Sequence, residues 1–175
     1  MLSNFFRSAV VIILFFTTSC GFTVLYDQKD TGLNYEKELA SIKIQKSAGV
    51  AAQELRTNIY SAINPDHLEE EVKYYLILTS SENISSTFLT SSGSSGRNQI
   101  NININYQLKS YENDQLIATG SVSSAESYNV DLSRYGNYNT EEFARSNLLK
   151  SLSNKIRNLL VQDIITLKKS SEVEK

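Results

Sequence analysis

The chain is poor in the residues that carry most protein chemistry: one cysteine, one histidine, one proline and no tryptophan in 175 residues. A single Cys cannot close an internal disulfide, and one Cys with one His falls short of a zinc site. Nor does one sign of charge dominate. Lys and Arg number 17 against 19 Asp and Glu, a formal net charge of −2, and a pI near 5.5 excludes nucleic acid as the main partner. No long hydrophobic run is present either. The apolar stretch Ala9–Phe16 would rise only about 12 Å as a helix, against a bilayer core of about 30 Å. What remains is ordinary globular composition, 41% hydrophobic and 21% charged, in a length that fits one domain.

The first twenty residues carry an address. Arg7 precedes the apolar run, and Thr17, Thr18 and Ser19 lead to Cys20, the sole Cys. This reads as a secretory signal over residues 1–19, and its end resembles a bacterial lipobox, with Thr17 where Leu is usual. Cys20 is then the acylated first residue of the mature protein, a covalent lipid being the only attached group expected. Each buried acyl CH₂ contributes about 0.8 kcal/mol, so two or three chains hold a protein on a membrane. Gly21 after the Cys is compatible with outer-membrane sorting. Residues 20–36 read as a lipidated tether, 37–169 as a single α+β domain and 170–175 as a frayed tail.

Within the domain, Ile42 and Ile44 alternate with Lys43 and Gln45, predicting a strand over 39–46. Ser47 is a fitting N-cap for a helix to residue 63 with the stripe Ala51, Leu55, Ile59, Ala62 and Ile63, stopped by Asn64-Pro65. Residues 72–79 read as a second strand covered on both faces. Ile100, Ile102, Ile104, Tyr106 and Leu108 alternate with Asn101, Asn103, Asn105, Gln107 and Lys109, the clearest strand in the chain, wet on one face. After a turn at 112–114 a strand returns with Leu116, Ala118 and Val122, and Gly120 reads as a bulge. A last helix over 140–168, capped by Asn139, carries Ala144, Leu148, Leu152, Ile156, Leu160 and Ile164. The order β-α-β-β-β-α predicts a four-stranded mixed sheet with both helices on one face.

The Cys20-Gly21-Phe22-Thr23-Val24-Leu25-Tyr26 opening, this element order, Arg97, Tyr106-Gln107-Leu108 and Tyr128-Asn129 together resemble the LPS-assembly lipoprotein family (LptE), its alphaproteobacterial branch in particular, with Val24 in place of Pro. The resemblance implies an outer-membrane, periplasm-facing subunit without covalent chemistry, which plugs an LPS-assembly outer-membrane β-barrel protein (LptD-like) and helps insert lipopolysaccharide into the outer leaflet. The residues agree that no enzyme is visible: His67 lies in an acidic loop with no motif-placed Ser or Cys partner. A free-standing periplasmic lipoprotein that binds a lipid or other small ligand is the alternative, and a deep apolar pocket would mark it.

Candidate contact residues follow from three features. Residues 80–96 hold eight Ser and two Gly yet also Ile84, Phe88 and Leu89; either the second strand continues and tucks them onto the core, or they form an exposed hairpin tip that meets a barrel wall or a lipid chain. Tyr128, Tyr135 and Tyr138 fall in a Gly- and Asn-rich loop, and Tyr suits interfaces. Basic residues Arg145, Lys150, Lys155, Arg157, Lys168 and Lys169 outnumber acids on the last helix. Lys150 and Arg157 share a helix face and, with Arg97, either are solvated or contact phosphates of lipopolysaccharide or acidic groups of the barrel.

Overall fold

A computed structural model describes residues 34–45, 47–49, 51–89, 95–130 and 133–173. The signal, Cys20 and most of the tether expected from the sequence lie outside the described residues. The elements are α1 (Tyr35–Ala40), β1 (Ile42–Ile44), β2 (Ala48–Gly49), α2 (Ala52–Ile63), β3 (Tyr74–Leu89), β4 (Ser95–Ser110), β5 (Leu116–Asn129) and α3 (Arg134–Val173). The sheet runs β1-β3-β4-β5, with the two residues of β2 also pairing β3. The mixed α+β sheet expected from the sequence is present: β1 is parallel to β3 across the α2 crossover, and β3, β4 and β5 pair antiparallel.

β4 anchors the core. Ile100, Ile102, Ile104, Tyr106 and Leu108 are all at most 2% exposed, while Asn101, Asn105 and Gln107 on the opposite face are exposed. Burying each of these apolar side chains contributes about 1.5–3 kcal/mol. The helical layer seals that face: α3 lies on β5 and β4 and packs against α2, through Leu148, Leu149, Leu152, Ile156, Leu160 and Val161 on α3 and Leu55, Ile59 and Ile63 on α2.

Several local expectations are corrected. Tyr35 and Leu39 are buried in the additional helix α1, so the domain opens at Asn34, whose side chain caps that helix through the Lys37 N–H at 3.2 Å. Ser47 does not cap α2; its hydroxyl donates to the Ala52 carbonyl at 2.6 Å, and the cap position is Ala51 at φ 52°. Asn64 does end α2, and its amide is bonded in both directions to the Leu68 backbone, at 2.8 and 3.0 Å. Asn139 lies inside α3 rather than capping it, and α3 runs to Val173 where a frayed tail was expected. Leu116 does begin the returning strand β5, and its side chain is half exposed there.

Gly120 is not a bulge. It pairs in regular register with Tyr106, and a Cβ there would sit 2.5 Å from the Tyr106 ring. That ring cannot swing away, because it is 2% exposed and its hydroxyl donates to Asp163 of α3 at 2.8 Å. Burial and the Asp163 carboxylate both push the Tyr106 phenol well above its ordinary pKa, and burial raises Asp163 while the phenol's hydrogen bond lowers it. A second tie lies about one and a half turns further along α3, where Glu38 of α1 accepts from Lys73 at 3.1 Å and from Lys168 of α3 at 2.6 Å. Burial alone would raise Glu38, but the two ammonium groups outweigh it and hold the carboxyl below its usual range.

Two substitutions test this packing. Gly120→Ala is expected to destabilise the domain by about 1–3 kcal/mol, since the added methyl overpacks a fixed ring, and a thermal melt measures it. Leu152→Asp, at a fully buried position, should cost several kcal/mol by placing an unpaired carboxylate between helix and sheet. An unchanged melt would show the face of α3 to be misassigned.

Candidate interaction surface

β3 runs to Leu89, not to residue 79, so most of the serine-rich segment is strand. Its register with β4 is regular from Tyr74↔Ser110 to Ser86↔Asn98 and then shifts at Phe88↔Arg97 and Leu89↔Ser95. β1 and β2 flank β3 only as far as Ser80. Beyond that point β3 is itself an edge of the sheet. Ile84 is 40% exposed and Phe88 62% exposed, so the strand continues without tucking these side chains onto the core. The side chain of Leu89 lies outside the described residues.

The start of α3 reaches the same end of the sheet. Asn129, the last residue of β5, pairs with Arg97, and its carbonyl accepts from Thr140 Oγ1 at 3.4 Å. The loop expected to hold Tyr128, Tyr135 and Tyr138 does not exist as one unit. Tyr135 and Tyr138 are on the first turns of α3 and are 78% and 66% exposed, whereas Tyr128 is in β5 and only 8% exposed. Tyr128 is a structural residue: its hydroxyl donates to Glu141 at 3.0 Å and accepts from Asn98 at 3.3 Å. Burial, with the Glu141 charge beside it, raises its pKa. Phe143, 68% exposed on α3, joins the surface unforeseen. It stands one place off the buried stripe that begins at Ala144, which was the available signal.

Between α3 and β3 lies a charge cluster. Arg145 donates in a fork to Glu82 of β3, at 2.9 Å through both Nε and Nη2, and to Glu141 and Glu142 at 2.7 Å each. The Glu82 hydrogen bonds dominate and raise the guanidinium's pKa against the opposing pull of burial. Three carboxylates surround one guanidinium, so Arg145 is committed inside the molecule rather than offered to phosphate. The Glu141 and Glu142 contacts follow from helical spacing; Glu82 is 63 residues away in sequence and gives no local signal.

The remaining candidates are scattered. Lys150 is exposed and Arg157 half exposed on α3, about 18 and 28 Å along the helix from Tyr138 at 1.5 Å per residue. They do not join the aromatic end. Lys168 is held by Glu38. Arg97 is exposed and lines, with Phe88, Gln99, Ser127 and Asn129, a shallow hollow of about 690 Å³. His67 is exposed, with its ring 5.9 Å from that of Tyr60. A larger groove of about 880 Å³ runs between β1 and α2, lined by Ile42, Ile44 and Tyr60 but also by Lys43, Arg56 and Glu69. Among the described residues, no cluster of His, Cys, Asp and Glu is arranged to hold a metal, and no helix is long and apolar enough to cross a membrane.

No family model matches the chain, and no curated protein matches it by sequence. Its fold does recur among solved structures. A protein of Caulobacter crescentus CB15 assigned provisionally as a lipoprotein is similar with a TM-score of 0.58 at 16% identity, over 73% of this chain and 93% of that one. The rare lipoprotein B of Shewanella oneidensis is similar with a TM-score of 0.57 at 10% identity, over 72% and 99%. A minor lipoprotein of Acinetobacter baumannii reaches 0.50 at 14% identity, over 70% and 89%. At these identities the likeness establishes the fold, an arrangement found in bacterial lipoproteins.

The charge cluster makes a measurable demand. Glu82 has a side chain only 9% exposed, so Arg145→Leu should strand its charge and cost about 3–5 kcal/mol. Adding Glu82→Leu should recover a large part of that loss in denaturant unfolding. A double variant no more stable than Arg145→Leu would show that the pair is not coupled.

Proposed function

We propose that this chain is an outer-membrane lipoprotein, anchored on the periplasmic side by acyl groups on Cys20, that plugs an LPS-assembly β-barrel of the LptD kind and assists insertion of lipopolysaccharide. The observation that carries the reading is that Ile84 and Phe88 on the far end of β3, and Tyr135, Tyr138 and Phe143 on the first turns of α3, are all well exposed, with Phe88 beside Arg97 and Gln99 on the polar sheet face. Large apolar groups left exposed mark contact surfaces, and Tyr and Phe are enriched in them. The lipobox-like end of the signal, the resemblance of the sequence to the LPS-assembly lipoprotein family and the fold shared with bacterial lipoproteins support the same reading.

The role is structural rather than catalytic. The amide- and hydroxyl-lined sheet face, with Arg97 and Lys109 at its two ends, suits a water-filled barrel interior, where a polar surface stays hydrated. The β1–α2 groove is open and mixes apolar with charged lining, unlike the mostly apolar pocket that a free-standing lipid binder would use.

A photo-crosslinking residue placed at Phe88 or Tyr138 should trap a large outer-membrane barrel in cells, while one at the buried Ile104 should not. Intact-mass analysis of the membrane-extracted protein checks that the mature chain starts at an acylated Cys20. Correctly anchored protein that captures no barrel from either surface position would overturn the plug reading in favour of a free-standing binder.

A further inference from the structure

The two edges of the sheet are unlike. One is made by β1, β2 and then β3 beyond Ser80; the other is β5, which runs for 14 residues and, among the described residues, pairs only with β4. Which backbone groups of β5 point outward follows from the ladder. Val130 donates to the Gly96 carbonyl at 3.2 Å, one step beyond the regular pair Arg97↔Asn129. In an antiparallel ladder bonded pairs alternate with unbonded ones. The even-numbered residues from Ala118 to Tyr128 therefore bond β4, and the odd-numbered ones turn their N–H and C=O away from it. The outward carbonyl of Asn129 is taken by Thr140, in keeping with this parity. Thr119, Ser121, Ser123, Ala125 and Ser127 are left, all exposed, a row spanning about 27 Å at 3.4 Å per residue.

Such an edge is normally blunted by lysines, proline or a bulge. Between Ala118 and Asn129 there is no Lys, Arg or Pro, and the register with β4 shifts only at the far end, beside Lys109. The one charge is Glu126, half exposed on the helix-side face; no ion-pair partner for it exists among the described residues.

We infer that the β5 edge is a strand-addition site that takes one extended segment of a partner protein, with a Lys or Arg placed opposite Glu126. A second copy of this chain would have to bring its own α3, which packs on β5 and β4, alongside the first on the same face of the sheet. A bare strand brings nothing to that face. The lone acidic side chain on this edge, Glu126, calls for an unlike residue opposite it, which this chain's own β5 edge, without Lys or Arg, does not supply. The added strand's side chains would alternate between the neutral hydroxyl-lined face and the apolar helix side, so the fitting segment alternates small polar and apolar residues, with the basic residue on the helix side.

The test uses the full lipidated protein in its native membrane. A photo-crosslinking residue is placed in turn at Thr119, Ser123 and Ser127, and the captured sites are mapped by mass spectrometry. Strand addition predicts three sites on one partner segment, spaced four residues apart in its sequence. Ser123→Pro removes an outward N–H without touching the β4 ladder, and Ser123→Lys restores the missing gatekeeper charge. Each should reduce the Thr119 and Ser127 crosslinks to background while the melting temperature stays put, and Glu126→Lys should weaken them several-fold. Sites scattered over a partner surface, sites on another copy of this chain, crosslinks indifferent to both Ser123 variants, or no crosslink at all would each overturn the inference. Because Phe88 and Tyr138 report the barrel contact separately, either reading can fail while the other stands.

Discussion

The one-sided burial of β4 is the constraint on which the rest of the structure depends. Its Ile100-to-Leu108 face is sealed almost completely, and this requires a helix long enough to cover the strands beside it. α3 supplies that cover, and its stripe from Ala144 to Ile164 is buried along its length. A register slip of one residue would move every isoleucine of β4 to the wet face and bring the asparagines inward. β3 and β5 are thereby fixed as well, because their registers are read against β4.

Where the sealed layer stops, the exposed surface starts. α3 begins at Arg134, but the first buried residue on it is Ala144. The intervening turns carry Tyr135, Tyr138 and Phe143 outward. β3 likewise continues for nine residues past its last contact with β2 at Ser80. Both extensions are long regular elements that outrun the core needed to bury them. The extension of β3 stays within a three-stranded sheet, since β4 and β5 pair as far as Arg97↔Asn129, and Arg145, whose fork to Glu82 ties β3 to α3, fastens it to the helical layer.

Buried charges in this domain act as fasteners between elements distant in sequence. Arg145 joins β3 to α3, Asp163 joins α3 to Tyr106 of β4, and Glu38 joins α1 to both Lys73 and Lys168. Ion pairs of this sort add little net stability, because desolvation offsets attraction, yet breaking one partner is costly. Their effect is on arrangement: each is satisfied only when the helix sits at one height along the sheet.

Local patterning determined much of this. Strict alternation made β4 legible residue by residue, a four-residue recurrence made the core of α3 legible, and Asn64-Pro65 ended α2 where expected, because period and steric exclusion act within a few residues. Element ends were not legible. Serine has weak preferences, so the extension of β3 through residues 80–89 was decided by pairing with β4, and the start of α3 at Arg134 overrode the apparent loop signal of its Gly, Asn and Tyr residues. The candidate surface divided in the same way. Phe88, Ile84, Tyr135 and Tyr138 could be named from composition, since large apolar groups stand out among Ser and Asn. Whether a tyrosine is exposed or locked depends on what packs on it from elsewhere: Tyr128 and Tyr138 look alike in sequence, and only the approach of Glu141 and Asn98 buries the first. The glycine at 120 belongs to the same class. Its lack of a side chain is required by the ring of Tyr106 on the neighbouring strand, a contact that exists only once β4 and β5 have paired.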